Sequence, residues 1–159
     1  MRCRALPVVL ALAGLLLLSL PAIAAESPAP GKDARCPVCG MFVAGYTNWV
    51  CSAVFTDGSQ AFFDGPKDMF RFFFDVPKFR HGSTAADIAG LYVTEYYSVQ
   101  LTPAKEVFFV SGSDVLGPMG KELVPIAGLD KARGFMRDHG GVKLMRFDGK
   151  DLAPVPAVP

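Results

Sequence analysis

Between Val50 and Phe147 the same succession of signals occurs twice, and this repetition constrains the fold more than any other feature of the chain. In the first pass, Val50 to Phe55 is rich in strand-forming residues, Asp57-Gly58 is a hairpin signal, and Gln60 to Phe63 continues as a second short strand. A helix follows. Asp64 or Gly65 is placed to cap it, Pro66 suits its first turn, and Met69, Phe70, Phe73 and Phe74 recur at offsets that share one face. Phe72 falls off that face, which points it toward solvent. Pro77 is expected to stop the helix, and Leu91 to Val99 to return as a strand.

The second pass opens with Val107 to Val110, breaks at Ser111-Gly112-Ser113, and resumes at Leu123, Val124 and Ile126. Leu129, Ala132, Phe135 and Met136 then line a helical face, Gly140-Gly141 ends the helix, and Val142 to Phe147 is the last strand. Each half is strand, strand, helix, strand. The expected fold is α+β, two small ββαβ units packed together, covering about 35–100 and 101–150 within one domain of residues 35–150.

The ends are of another character. Arg2 and Arg4 precede an apolar run from Leu6 to Leu20, and Ala22-Ile23-Ala24 offers small residues for cleavage, so residues 1–24 are expected to be an export signal. The run is too short to span a bilayer comfortably, which takes roughly 20 apolar residues. Ala24 is followed by Ala25, Glu26 and Ser27 rather than cysteine, so a lipid anchor is not supported. Residues 25–34 have little to bury and form an expected flexible leader; 151–159 is a Pro-rich tail. The expected product is an exported, soluble, periplasmic protein with no stable membrane insertion. Without Arg2 and Arg4, 14 basic residues face 15 acidic ones with no basic stripe, which argues against a nucleic-acid partner.

Export would also remove Cys3, leaving Cys36, Cys39 and Cys51. The densest chemistry lies in Cys36-Pro37-Val38-Cys39-Gly40-Met41, where two thiols and a thioether fall within six residues and Gly40 permits a tight turn. Soft sulfur ligands favour Cu(I), zinc or iron–sulfur clusters, and a thioether points toward copper. Three other readings stand beside it. Cys36 and Cys39 suit a disulfide or a thioredoxin-like redox pair, although only a Pro/Gly-rich leader precedes them where that fold needs a strand. Structural zinc wants four ligands, and neither a second Cys-x-x-Cys nor a nearby histidine is apparent. Met119, between Pro118 and Gly120 in a polar turn, is poorly placed for core packing and is a second sulfur candidate, whereas the helical spacing of Met69 and Met136 assigns them to the core.

Cys-Pro-Val-Cys-Gly-Met near the expected mature start, Phe63-Asp64 in an aromatic-rich middle, and Pro118-Met119-Gly120 in the second half together resemble the NosL family, the accessory copper proteins of nitrous-oxide reductase. The resemblance covers most of residues 35–147. It implies a Cu(I)-binding metallochaperone of two ββαβ units that delivers copper to an envelope protein, the nitrous-oxide reductase assembly machinery. Carried over by position, Cys39, Met41 and Met119 are the implied metal ligands, with Cys36 assisting. The chain departs from the many lipoprotein members by lacking a lipid-acceptor cysteine.

The remaining reactive residues have plainer readings. Cys51 sits in an expected strand as a small buried hydrophobe, His139 suits a helix C-terminus, and His81 lies in an expected exposed loop. Asp64, Asp68 and Asp75 show no pairing that suggests acid–base catalysis, and neither a catalytic triad nor a phosphate-binding loop is visible, so no enzyme is expected.

Overall fold

A computed structural model describes residues 29–155, so the expected signal peptide, the start of the leader and the last four residues lie outside the described part. The first unit comprises β1 (Cys51–Phe55), β2 (Gln60–Phe63), α1 (Pro66–Phe73), a one-turn helix α2 (Val76–Phe79), β3 (Ile88–Thr94) and β4 (Leu101–Pro103). The second comprises β5 (Val107–Ser111), β6 (Leu116–Gly117), β7 (Gly120–Lys121), β8 (Val124–Ala127), α3 (Leu129–Asp138), β9 (Lys143–Phe147) and β10 (Leu152–Pro154).

The two four-stranded sheets run β2-β1-β3-β4 and β8-β5-β9-β10, all antiparallel. In each, the unit's first strand sits between the next strand and the one that follows the helix, so the repeated signals correspond to a repeated topology. Asp57 and Gly58, with φ +81 at the glycine, turn the β1–β2 hairpin as expected. The second unit replaces that tight turn with an inserted hairpin, β6–β7, which the repeat did not anticipate.

Four local expectations are corrected. Phe72 is buried, 1% exposed, whereas Phe74 is 53% exposed. The reason is that α1 lies between the two units rather than on the face of one sheet. Phe72 packs on Phe55, Phe63 and Phe79 of the first unit, while Phe70 meets Phe109 and Phe147 of the second, and Phe73 meets Phe147. Phe74 is the C-cap, beyond the reach of the helical pattern.

Pro77 does not stop α1, which already ends at Phe73; it opens α2. The strand expected over Leu91 to Val99 begins at Ile88 and ends at Thr94. Beyond it the Glu95 carboxylate accepts N–H bonds from Tyr97, Ser98 and Ala127, which wraps the chain into a turn, and the strand pattern resumes as β4. Finally, Leu152–Pro154, within the stretch expected to be a tail, pairs with β9 as an edge strand, where its proline is tolerated.

The main core joins both units through α1, and a smaller one, formed by Val110, Val124, Ile126, Ala132 and Phe135, lies under α3. Among the described residues no helix is long and apolar enough to cross a membrane.

Candidate metal centre

The Cys36-to-Met41 segment folds into a closed loop before β1. Cys36 N–H donates to Met41 O at 2.9 Å, and Gly40 N–H donates to Cys36 O at 2.9 Å. Gly40 has φ +79, the left-handed conformation a residue with a Cβ adopts only under strain. Arg35 clamps the outside, donating to Gly40 O at 3.0 Å with its guanidinium 3.7 Å over the Phe42 ring. The closed loop leaves Cys36 buried and Cys39 half-buried.

Two carboxylates meet these thiols. Asp64 directly precedes Gly65, the N-cap of α1, and Asp68 lies in its first turn. Cys39 Sγ–H donates to Asp64 Oδ1 at 3.3 Å, and Cys36 Sγ lies 3.6 Å from Asp68 Oδ2. One donor atom from each of Cys36, Cys39, Asp64 and Asp68 lies within 4.8 Å of all the others. Asp64 is 1% exposed and Asp68 7%. Asp64 therefore does not cap the helix; its side chain is committed to the thiols.

The electrostatics of this group are unbalanced. Among the described residues neither carboxylate forms a salt bridge, and Asp64 Oδ2 is buried without a hydrogen-bond partner. Burying a carboxylate without a cation or a full set of donors is costly, by several kcal/mol for an unpaired ion. The positive N-terminal end of α1 offsets only part of that. Burial, aided by the carboxylates, pushes both the Cys36 and the Cys39 thiol pKa above the ordinary value, so without a metal the sulfurs stay protonated. A bound cation would displace those protons, turn two thiols into thiolates and satisfy the carboxylates together.

The structure thus brings Cys36 and Cys39 together. Met41 is half-buried on the same loop and lines a surface cleft with Arg35, Phe42 and Tyr46. Met119 is 49% exposed at the tip of the β6–β7 hairpin. Sequence reasoning missed Asp64 and Asp68. The available signal was a carboxylate set among Met69, Phe70, Phe72 and Phe73 with a second one four residues before it, because a charge inside an apolar helix usually has a partner.

Cys51, His139 and His81 sit where the sequence placed them. Cys51 is fully buried in β1 with Sγ–H donating to Trp49 O at 3.3 Å. His139 is the C-cap of α3, stacked on Phe135 at 4.3 Å with Nδ1 2.9 Å from Asp114. His81 is exposed.

No curated protein matches the chain in sequence. Among solved structures it is similar to the crystal structure of the copper chaperone NosL from Shewanella denitrificans, with a TM-score of 0.62 and 24% identity over 77% of this chain and 93% of that one. At that identity the likeness speaks for the fold. The NosL family matches residues 28–152, spanning both sheets, α1 and the thiol–carboxylate group, and the chain therefore belongs to the NosL family.

Proposed function

We propose that this protein is an exported copper chaperone that takes up Cu(I) at the Cys36–Cys39 loop and passes it to an envelope protein, with the nitrous-oxide reductase assembly machinery as client. The observation that carries this reading is the convergence of the Cys36 and Cys39 thiols in one closed loop that also bears Met41. Family membership and the copper chaperone among similar structures support it. Cys39, Met41 and Met119 are the proposed soft ligands, with Cys36 assisting. Cys39 is half-buried and Met119 half-exposed, so a metal held by them would be open to an incoming ligand from a receiving protein. Cu(I) imposes no d-electron geometry, which lets ligands exchange stepwise.

The test is anaerobic titration of the reduced protein with Cu(I) against a competing chelator. One Cu(I) per chain, with affinity falling in Cys39→Ser and in Met119→Leu, is expected. Unchanged affinity in both variants would refute the ligand assignment.

The thiol–disulfide reading fares less well on the site's own chemistry. A reactive redox cysteine needs a depressed thiol pKa, and burial moves both of these upward. A divalent ion such as zinc is favoured by a different observation, since two carboxylates beside the two thiols supply the four donors that the sequence alone did not reveal. Zinc titration of wild type and Asp64→Asn separates the two metals. Asp64→Asn should weaken zinc about 10- to 100-fold and leave Cu(I) nearly unchanged if the carboxylates serve the divalent ion alone.

A further inference from the structure

The helix that carries Asp68 has no cap of its own. Gly65 occupies the N-cap position of α1 and offers no side chain, so the first-turn N–H groups need another acceptor. That acceptor comes from 55 residues away in the second unit: Glu122 Oε1 accepts from Lys67 N–H at 2.7 Å and from its neighbour Leu123 N–H at 2.9 Å. Glu122 is buried, 5% exposed. Two glycines make room for it. A Cβ on Gly65 would collide with Glu122 Oε2, and one on Gly117 would lie 3.0 Å from Glu122 Cβ and Cγ.

Glu122 directly follows β7, the strand that closes the Met119 hairpin. A second tie reinforces the first: Lys67 Nζ donates to Lys121 O at 2.7 Å, while Lys121 Nζ donates to Ser113 O at 2.9 Å at the base of the insertion. The hairpin is therefore fastened to the same helical turn that holds Asp68, which in turn lies 3.6 Å from the Cys36 sulfur. The hairpin strands contribute only two residues each and pair only with one another, so their own ladder does little to place the tip.

We infer that Glu122 is the positioning residue of the metal centre: by capping α1 from the second unit it sets where the Met119 hairpin stands relative to the Cys36–Cys39 loop. This rests on the proposed function for its consequence, copper affinity, and not for the geometry. The centre is then built from both halves of the chain, with a capping carboxylate aligning the sulfur of one unit to the thiols of the other. Glutamine retains an oxygen that accepts both N–H bonds, alanine removes it, and aspartate withdraws it by one methylene.

Two measurements test the inference. In the metal-free protein labelled at the methionine methyl groups, the Met119 methyl resonance should shift in Glu122→Ala and Glu122→Asp and stay near its wild-type position in Glu122→Gln. Should Glu122→Ala not fold, Glu122→Asp is the variant read. A Met119 resonance unmoved by loss of the carboxylate overturns the inference, whatever the metal does. In Cu(I) competition titrations, Glu122→Ala should weaken binding about 10- to 100-fold, the range for groups that orient metal ligands. Added to Met119→Leu it should weaken binding no further. Additive losses, or a loss in Glu122→Gln as large as in Glu122→Ala, would refute the positioning role. If Met119→Leu itself leaves Cu(I) affinity unchanged, Met119 is not a ligand and the proposed ligand set fails, while the methyl resonances still decide whether Glu122 places the hairpin.

Discussion

The helices α1 and α3 occupy equivalent places in two units of the same topology, yet they are sealed differently. Of the eight residues of α1, Pro66, Asp68, Met69, Phe70, Phe72 and Phe73 are buried, whereas only Ala132 and Phe135 are buried among the ten of α3. The second helix rests on one sheet with a polar outer face. The first is pressed between both units, so a carboxylate in its first turn is forced into the interior and must find a partner there. The candidate metal centre lies at the first turn of α1, whereas the end of α3 carries a half-buried His139 whose Nδ1 is 2.9 Å from the exposed Asp114. Equivalent topology thus left α3 resting on one sheet, while α1 carries Asp68 into the interior beside the Cys36 thiol.

The sharpest way to break this contrast is through the two phenylalanines whose exposure runs against the helical pattern. Phe72→Ala should cost about 3–5 kcal/mol of stability in urea denaturation, and Phe74→Ala within about 0.5 kcal/mol. Similar losses at the two positions would mean that α1 is not enclosed from both sides.

The next effect concerns the contact between the units. Burial raises the Glu122 carboxyl from its ordinary 4.5 to about 7, with Asp68 adding to the rise while the Lys67 and Leu123 N–H groups and the Lys67 ammonium oppose it. A carboxyl with a raised folded pKa keeps its proton in the folded state after the unfolded chain has lost it. Stability from this group is therefore present below about pH 4.5, falls as pH rises to about 7, and is level above that. Relative to Glu122→Gln, wild type should lose up to about 3 kcal/mol between pH 4 and pH 8. Denaturation curves whose difference does not change with pH would contradict the buried carboxyl.

A smaller effect, again a stabilisation by the amide, is expected at Asp64. Its buried Oδ2 lacks a partner, so Asp64→Asn should stabilise the metal-free protein by about 1 kcal/mol, as relief of functional strain commonly does. Destabilisation would show that the carboxylate serves the fold rather than the metal. The smallest effect should come from α3, where His139→Ala removes a solvent-exposed contact with Asp114 and should cost less than about 1 kcal/mol. A larger loss there would erase the difference between the two helix ends.

Much of the architecture was legible beforehand because it is encoded locally. The Asp57-Gly58 turn, the Pro66 start of α1, the periodic face of α3 and the left-handed Gly40 each depend on residues a few positions apart. The misreadings arose where a distant element supplied the deciding contact. Phe72 follows from a helix with two packing partners, and β10 from an edge of β9 left open for pairing. The β3 end follows from a buried Glu95 that gathers three N–H groups.

The candidate site divides in the same way. Its sulfur motif was visible in six consecutive residues, because cysteine, glycine and methionine at that spacing restrict both the turn and the ligand chemistry. The carboxylates were not, since Asp64 and Asp68 stand 25 and 32 residues from the thiols they meet. On its own, then, the sequence determined the repeated order of elements and the thiol loop. Only the tertiary structure decided that α1 would be enclosed by both units, that two acids would be buried against two thiols, and that Glu122 would cap a helix 55 residues away. The physical reason is range: turn geometry and periodicity act over a few residues, while burial and the pairing of buried charge are settled only when the two halves pack.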